Sequence, residues 1–479
     1  MKKCLFLFPL VASSFLVVDA KVTPGSMITD NMVIQQNAKA RIYGTADPDK
    51  TVTVTPSWSD ASYTTKSDSN GRWSLMIDTP AGGYTPYSIT ISDGHPVTLD
   101  NVLVGEVWLA SGQSNMEMPL KGFAGCCVAG GYDEVASARD RAGKIRFYTV
   151  PLKQSYEPLE SIDAAWTVPG PDTAAEYSAV GWHFAKRLND VLDVPVGIVR
   201  CAYGGAKVES WTPREILETY TDVSLDPAEI EKTVHYHRPL LMYNAMFNPV
   251  KEYTYKGMIW YQGCSNVGGH GDYSERLANM VEHWRKEIGE GEIPFYQVEI
   301  APYEYGAEGA LQWAPLLREA QWKAAEIIPN SGIVCTNDIV KPYERYNIHP
   351  ADKATVGKRL AELALNKTYD NRIFPIVCPR YKGYRIEDGA VRVAIDSPSD
   401  GICRNYAIEG FEVAGADRVF HSADSVWLDW RTNEFIVSSR EVPAPVAARY
   451  GWRDFLPGNV HAGNYLPLIP FCTDDWPLQ

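Results

Sequence analysis

Gly105-Glu106-Val107-Trp108-Leu109-Ala110-Ser111-Gly112-Gln113-Ser114-Asn115-Met116 decides how this chain is read. Val102, Leu103, Val104, Val107, Trp108 and Leu109 make a nearly unbroken apolar run, the pattern of a strand buried on both faces. The polar cluster that follows is a turn. A serine held where a buried strand ends is rigid and can face a cleft, as a nucleophile requires. The same placement also suits a serine that merely satisfies a turn. What raises Ser114 above that reading is the set of polar segments further along the chain.

Outward from this strand, the amino-terminal side reads as β structure. Thr51-Val52-Thr53-Val54-Thr55 alternates strictly, Trp73 to Ile77 and Tyr87 to Ile91 are short β-rich runs, and Asn70-Gly71 and Asp93-Gly94 supply turns. The pattern predicts a small β-sandwich over 21–100. From 101 to 370 strands and helices alternate. Helical spacing marks Ala179 to Leu188, Tyr273 to Ile288, Leu317 to Ile327 and Asp352 to Leu365; strands are expected at Val194 to Val199, Gly257 to Tyr261, Phe295 to Ile300 and Ile333 to Cys335. This order predicts an α/β fold, a three-layer α/β/α sandwich around a parallel sheet, with its ligand at the carboxyl ends of the strands. From 371 to 479 strands dominate again, as a second flanking β domain whose tail returns to the central one. Residues 1–20 have the form of a signal peptide: Lys2 and Lys3, an apolar run from Leu5 to Val18, and Val18-Asp19-Ala20 as a cleavage site. Export, to the periplasm or beyond, is the expectation.

The chain has 479 residues and a formal charge of −14 with no basic cluster, so nucleic acid and anionic membranes are poor partners. No second apolar stretch is long enough to span a bilayer. Cys126, Cys127, Cys201, Cys264, Cys335, Cys378, Cys403 and Cys472 lie beyond the leader, and none forms a C-x-x-C pair, which argues against a structural zinc site.

Four polar segments follow predicted strands: Ser114; Tyr203-Gly204-Gly205; Gln262-Gly263-Cys264-Ser265-Asn266; and Asn347-Ile348-His349-Pro350. Ester hydrolysis needs a nucleophile, a base and donors aimed at a developing oxyanion. A serine, a glycine-pair N–H, a side-chain amide and a histidine meet that need if the strand ends converge. Each also has a plain structural reading: a tight turn for Gly204-Gly205, a loop-satisfying amide for Gln262, a helix-start histidine for His349.

Gly-Glu-Val-Trp-Leu-x-Ser-Gly-Gln-Ser-Asn-Met (105–116), Trp-Tyr-Gln-Gly-x-Ser-Asn (260–266) and Ile-His-Pro-x-x-Lys-x-x-Val-Gly-x-Arg-Leu-Ala (348–361) resemble the motifs of the sialate O-acetylesterase family of SGNH hydrolases. Tyr243-Asn244-Ala245-Met246, Leu317-Arg318-Glu319-Ala320-Gln321, Ala448-Arg449-Tyr450-Gly451-Trp452 and Leu466-Pro467-x-x-Pro470-Phe471-x-Thr473-Asp474 match as well. The resemblance implies an SGNH-type sandwich and a metal-free hydrolase, without a cofactor, that removes O-acetyl groups from sugars. It implies Ser114 as nucleophile and His349 as base. The oxyanion donors would be the Ser114 N–H, the Gly205 N–H and the Gln262 amide, with Asn266 a further candidate. Gln113, Tyr243, Asn244, Arg318 and Gln321 become candidates for substrate contact.

Three positions depart from the family pattern. Asn347 stands where an Asp usually precedes Ile-His-Pro, so the base lacks its orienting carboxylate; Asp338 or a backbone carbonyl is the expected substitute. Cys264 replaces a Glu and Cys472 an Arg, and a Cys264–Cys472 disulfide in place of an ion pair is one reading; two unrelated free thiols is the other. Two rival functions follow: deacetylation of a polysaccharide such as xylan, and a catalytically impaired carbohydrate-binding protein.

Overall fold

The computed structural model describes residues 22–306, 311–398, 401–403 and 406–477. The expected leader, residues 1–20, lies outside the described residues.

The apolar run belongs to a strand of 17 residues, Pro96–Gly112, which is the spine of the molecule. Its first half pairs antiparallel with Gly83–Ser92, while Leu103 to Gly105 pairs in parallel with Val33–Gln35. Its second half pairs in parallel with Val196–Ala202 on one side and Gly257–Tyr261 on the other. The boundary expected between residues 100 and 101 therefore falls inside one continuous strand. Glu106, buried where the two halves meet, accepts hydrogen bonds from Gln35 Nε2 (3.1 Å), Gln36 Nε2 (2.7 Å) and the Tyr369 hydroxyl (2.8 Å). These bonds satisfy a carboxylate that an apolar strand could not otherwise bury.

In the central part of the sheet the strands run Trp166–Thr167, Ile145–Thr149, Val196–Ala202, Pro96–Gly112, Gly257–Tyr261, Phe295–Val298 and Ser331–Val334. All neighbours are parallel except the short edge strand at Trp166. Side chains alternate across it. Trp108 and Ala110 join the core formed with helices Ala179–Leu192 and Lys353–Lys367, and Val107 and Leu109 the core formed with His270–Ile288 and Ala314–Ile327. Helices on both faces make the three-layer α/β/α sandwich, and account for the unbroken apolar strands.

The amino-terminal strands share the second of these cores. The carboxyl-terminal part has its own: two four-stranded sheets close over Val391, Val393, Phe411, Val413, Phe435, Val437, Tyr450 and Phe471. It is docked by Arg318, 1% exposed, which donates to the backbone carbonyls of Ile300 (3.3 Å), Gly451 (3.1 Å), Arg453 (3.0 Å) and Asp454 (2.9 Å).

Candidate active site

Ser114 opens a single helical turn, Ser114–Glu117, at the carboxyl end of the spine strand. Gly112 makes the exit possible: its φ is +131°, and a Cβ there would sit 2.3 Å from the Tyr261 carbonyl oxygen. Gln113 staples the turn to the neighbouring strand end, its N–H donating to Tyr261 O (2.9 Å) and its Oε1 accepting from the Gly263 N–H (2.9 Å). As the first helical residue, Ser114 has a backbone N–H with no intrahelical acceptor.

His349 arrives from the loop after the last parallel strand. The buried Asn115 side chain joins the two segments, with Nδ2 donating to Ile348 O at 3.0 Å and Oδ1 accepting from Lys353 Nζ at 2.7 Å. Ser114 and His349 are each one residue from this bridge. The His349 ring meets Phe123 edge-on at 5.3 Å, and its Nε2 is buried without a hydrogen-bond partner among the described residues. Burial first, and the Lys353 charge second, hold the imidazole at a pKa of about 4, so it is neutral at pH 7. Asn347 Oδ1 accepts the His349 backbone N–H at 3.1 Å, and among the described residues Asn347 makes no hydrogen bond to the ring.

Gly204 also lies against Ser114: a Cβ on Gly204 would come within 3.5 Å of the serine Cβ. The Gly204 N–H is already held by Glu117 Oε2 (2.5 Å). Gly205, at φ +76° under the Tyr236 ring, keeps its N–H unengaged among the described residues. Gln262 is fully buried and fully used. Its Nε2 donates to Ala206 O (3.0 Å) and Asn266 Oδ1 (2.7 Å), and its Oε1 accepts from the Tyr273 hydroxyl (3.0 Å). With both amide hydrogens spent, Gln262 is not an available oxyanion donor, which corrects the sequence expectation. Asn266, the other amide candidate, is less fully engaged. Its Oδ1 also accepts the Val208 N–H (3.1 Å), and Nδ2 donates to Glu209 Oε2 (3.1 Å), leaving one N–H without a partner among the described residues. Arg276 fixes Glu209 in turn (2.7 Å).

The remaining candidates are structural. Gln113 holds strand-end backbone through Oε1, and Gln321 uses both ends of its amide there, bonding the Ile300 N–H (2.9 Å) and Gln262 O (2.9 Å). The Tyr243 hydroxyl bonds His283 Nε2 (3.0 Å). Asn244 Nδ2 donates to Ser155 O (3.2 Å) and Tyr156 O (2.8 Å). Arg318 holds the carboxyl-terminal part, as described above. Each of the five is engaged with backbone or a neighbouring side chain, and Gln113 keeps its Nε2 without an acceptor among the described residues. Asp338 does not orient His349 either. It makes two 2.7 Å bonds to Arg359 and one of 2.9 Å to His461, and these partners hold it at about 2 against the opposing effect of burial.

The Cys264–Cys472 disulfide is absent, and every cysteine among the described residues is a free thiol. Cys264 is buried beside Lys353, Tyr305 and Asn115, and burial raises its pKa. Cys472 sits on the edge strand with its thiol 3.4 Å from Asp474 O. The two substitutions are thus accommodated separately. Sequence reasoning missed Asn115, Glu117 and Lys353 as organisers of the site. All three lie within or beside the quoted motifs, but their roles are contacts between distant segments.

Residues 104–366, just over half of the chain, match the family model described as "carbohydrate esterase, sialic acid-specific acetylesterase". The sialate O-acetylesterase of Mus musculus is 27% identical over 405 residues, covering 70% of this chain and 71% of the mouse protein. That of Homo sapiens is 27% identical over 368 residues, covering 70% and 69%. The crystal structure of a carbohydrate acetylesterase from Xanthomonas citri superposes with a TM-score of 0.82 at 33% identity, covering 95% of this chain and 100% of that one. The chain belongs to the sialic acid-specific acetylesterase family of carbohydrate esterases and is a carbohydrate O-acetylesterase, a carboxylic ester hydrolase.

Proposed function

We propose that the protein is an exported esterase that removes O-acetyl groups from sialic acids, with Ser114 as nucleophile and His349 as general base. The observation that carries this reading is the Asn115 bridge, which brings the turn bearing Ser114 against the loop bearing His349 across 233 residues of sequence.

In the proposed reaction, neutral His349 accepts the Ser114 proton as Oγ attacks the acetyl carbonyl carbon. The carbonyl oxygen becomes an oxyanion facing the N–H groups of Ser114 and Gly205 and the spare N–H of Asn266. Collapse breaks the ester bond, and the imidazolium returns the proton to the leaving sugar hydroxyl. Water, deprotonated by the same imidazole, then releases acetate and restores Ser114. Because Asn347 bonds backbone rather than ring, no carboxylate at that position steadies the imidazolium, so turnover is slower than a carboxylate-assisted site would give.

A second reading changes only the glycan. The solved relative from Xanthomonas citri is described as a carbohydrate acetylesterase, with no sialic acid in its name, which keeps polysaccharide esters such as acetylated xylan in play. Acetate release from O-acetylated sialic acids and acetylated xylan, by wild type and Ser114→Ala, tests both. Release from the sialic acids that is abolished by Ser114→Ala supports the proposal; release from xylan alone replaces the substrate. Undiminished release by Ser114→Ala refutes the nucleophile. Glycan binding without any release would mark the protein as an impaired binder.

A further inference from the structure

Lys353 is 1% exposed, and its ammonium has no carboxylate within ion-pair distance among the described residues. Its one hydrogen bond goes to Asn115 Oδ1 at 2.7 Å, and it lies 6.0 Å from the centre of the Tyr261 ring. The charged and titratable groups facing it are Cys264, Glu344, Asp352, Cys126 and the imidazole of His349. Both nearby carboxylates are committed to backbone. Glu344 accepts the Lys341 and Ala351 N–H groups at 2.9 Å each, and Asp352 caps the Thr355 N–H at 2.9 Å. Burial lowers the Lys353 pKa to about 7. A lysine buried on these terms costs stability, and an apolar side chain of equal length would not.

The Asn115 amide is what makes this position useful. An asparagine can bond Ile348 O only through Nδ2, and a flipped amide would set oxygen against oxygen. With Lys353 donating to Oδ1, only the orientation that ties residue 115 to residue 348 survives. We propose that Lys353 is a positioning residue: by locking the Asn115 amide it holds the Ser114 turn and the His349 loop in register. This inference rests on the assignment of Ser114 and His349 as the reacting pair.

The test compares Lys353→Met, Lys353→Gln, Asn115→Ala and the Lys353→Met/Asn115→Ala double variant, using an aryl acetate and amide hydrogen exchange. For Lys353→Met, kcat is expected to fall about 10-fold or more with KM within about twofold, because misplacement by an ångström already costs that much. Its Tm is expected to be unchanged or higher, and amide exchange over 347–349 faster. The acid limb of kcat/KM should move to higher pH, since a positive charge beside His349 has gone. Lys353→Gln, which keeps a donor, should recover most of the activity. The double variant should be no worse than either single one, because both remove the same link. A Lys353→Met enzyme with kcat within about twofold of wild type and unchanged exchange over 347–349 overturns the inference, as do losses that multiply in the double variant. Absence of wild-type turnover instead refutes the Ser114–His349 reading, while exchange over 347–349 still reports whether Lys353 holds the loop.

Discussion

Glu117 and Gly204 are joined by a 2.5 Å hydrogen bond in which the carboxylate accepts the glycine N–H, although 87 residues separate them in the chain. The bond seats the Gly204-Gly205 loop against the turn that opens at Ser114 and leaves the next N–H, on Gly205, unengaged among the described residues and available for its proposed part in the oxyanion hole. Burial raises the Glu117 pKa while the Arg200 guanidinium and this bond pull it down. Replacing Glu117 by Ala releases the loop. The expected result is a fall in kcat of about 10-fold with smaller change in KM, since the lost precision concerns the transition state. Steady-state kinetics on an aryl acetate measure it.

Asn266 and Gln262 are hydrogen-bonded to each other, so their substitutions are told apart by the balance between lost turnover and lost stability. Asn266→Ala removes the N–H proposed to face the oxyanion, and kcat should drop by about 100-fold or more, the scale seen when one such donor is deleted. Gln262→Leu removes the side-chain donor to Ala206 O and Asn266 Oδ1 and leaves the Tyr273 hydroxyl only the residue 262 carbonyl at 3.4 Å. Its main effect should be a loss of stability of about 1–3 kcal/mol. Thermal melts and kcat measured on both variants distinguish them. The assignment fails if Gln262→Leu keeps its Tm and loses turnover.

The low pKa of His349 sets two pH dependences. The imidazole is neutral above about 4, so with His349 as the proposed base the acid limb of kcat/KM should fall near pH 4, well below the ordinary histidine value of 6.5. Stability follows the same shift. Between pH 6.5 and about 4 the unfolded chain binds a proton that the folded ring does not, so the His349 contribution is fully present above 6.5 and is lost as pH falls to about 4. His349→Phe should flatten that part of the stability curve and abolish turnover.

Asn347→Asp places a carboxylate beside the base. A negative charge there favours the imidazolium, so the His349 pKa should rise and kcat should increase by about 10-fold or more if the ring gains a carboxylate partner. Unchanged kcat and an unmoved acid limb would show that the native amide costs the enzyme nothing.

Arg318 is a fastening, not a substrate contact. Arg318→Met strips four backbone carbonyls of their donor, and should destabilise the protein by about 3 kcal/mol or more while leaving KM near its wild-type value. A raised KM with an unaltered melting temperature would return Arg318 to the binding site.

The sequence by itself determined the layered α/β architecture and the four segments that build the site. Strands buried on both faces must be apolar throughout, and helices that cover them must repeat at 3.6 residues, so Val102 to Leu109 and the stripes at Ala179, Tyr273, Leu317 and Asp352 announce themselves locally. The helices extend a few residues beyond those readings, to Ala179–Leu192, His270–Ile288, Ala314–Ile327 and Lys353–Lys367, because fraying ends carry little periodic signal. Only the tertiary structure decided how polar side chains spend their hydrogen bonds. Whether Gln262 or Asn266 keeps a free N–H, whether Asp338 faces His349 or Arg359, and whether Cys264 meets Cys472 or Lys353 all turn on at least one partner that lies tens of residues away. A motif names the donor, but the fold alone supplies the acceptor.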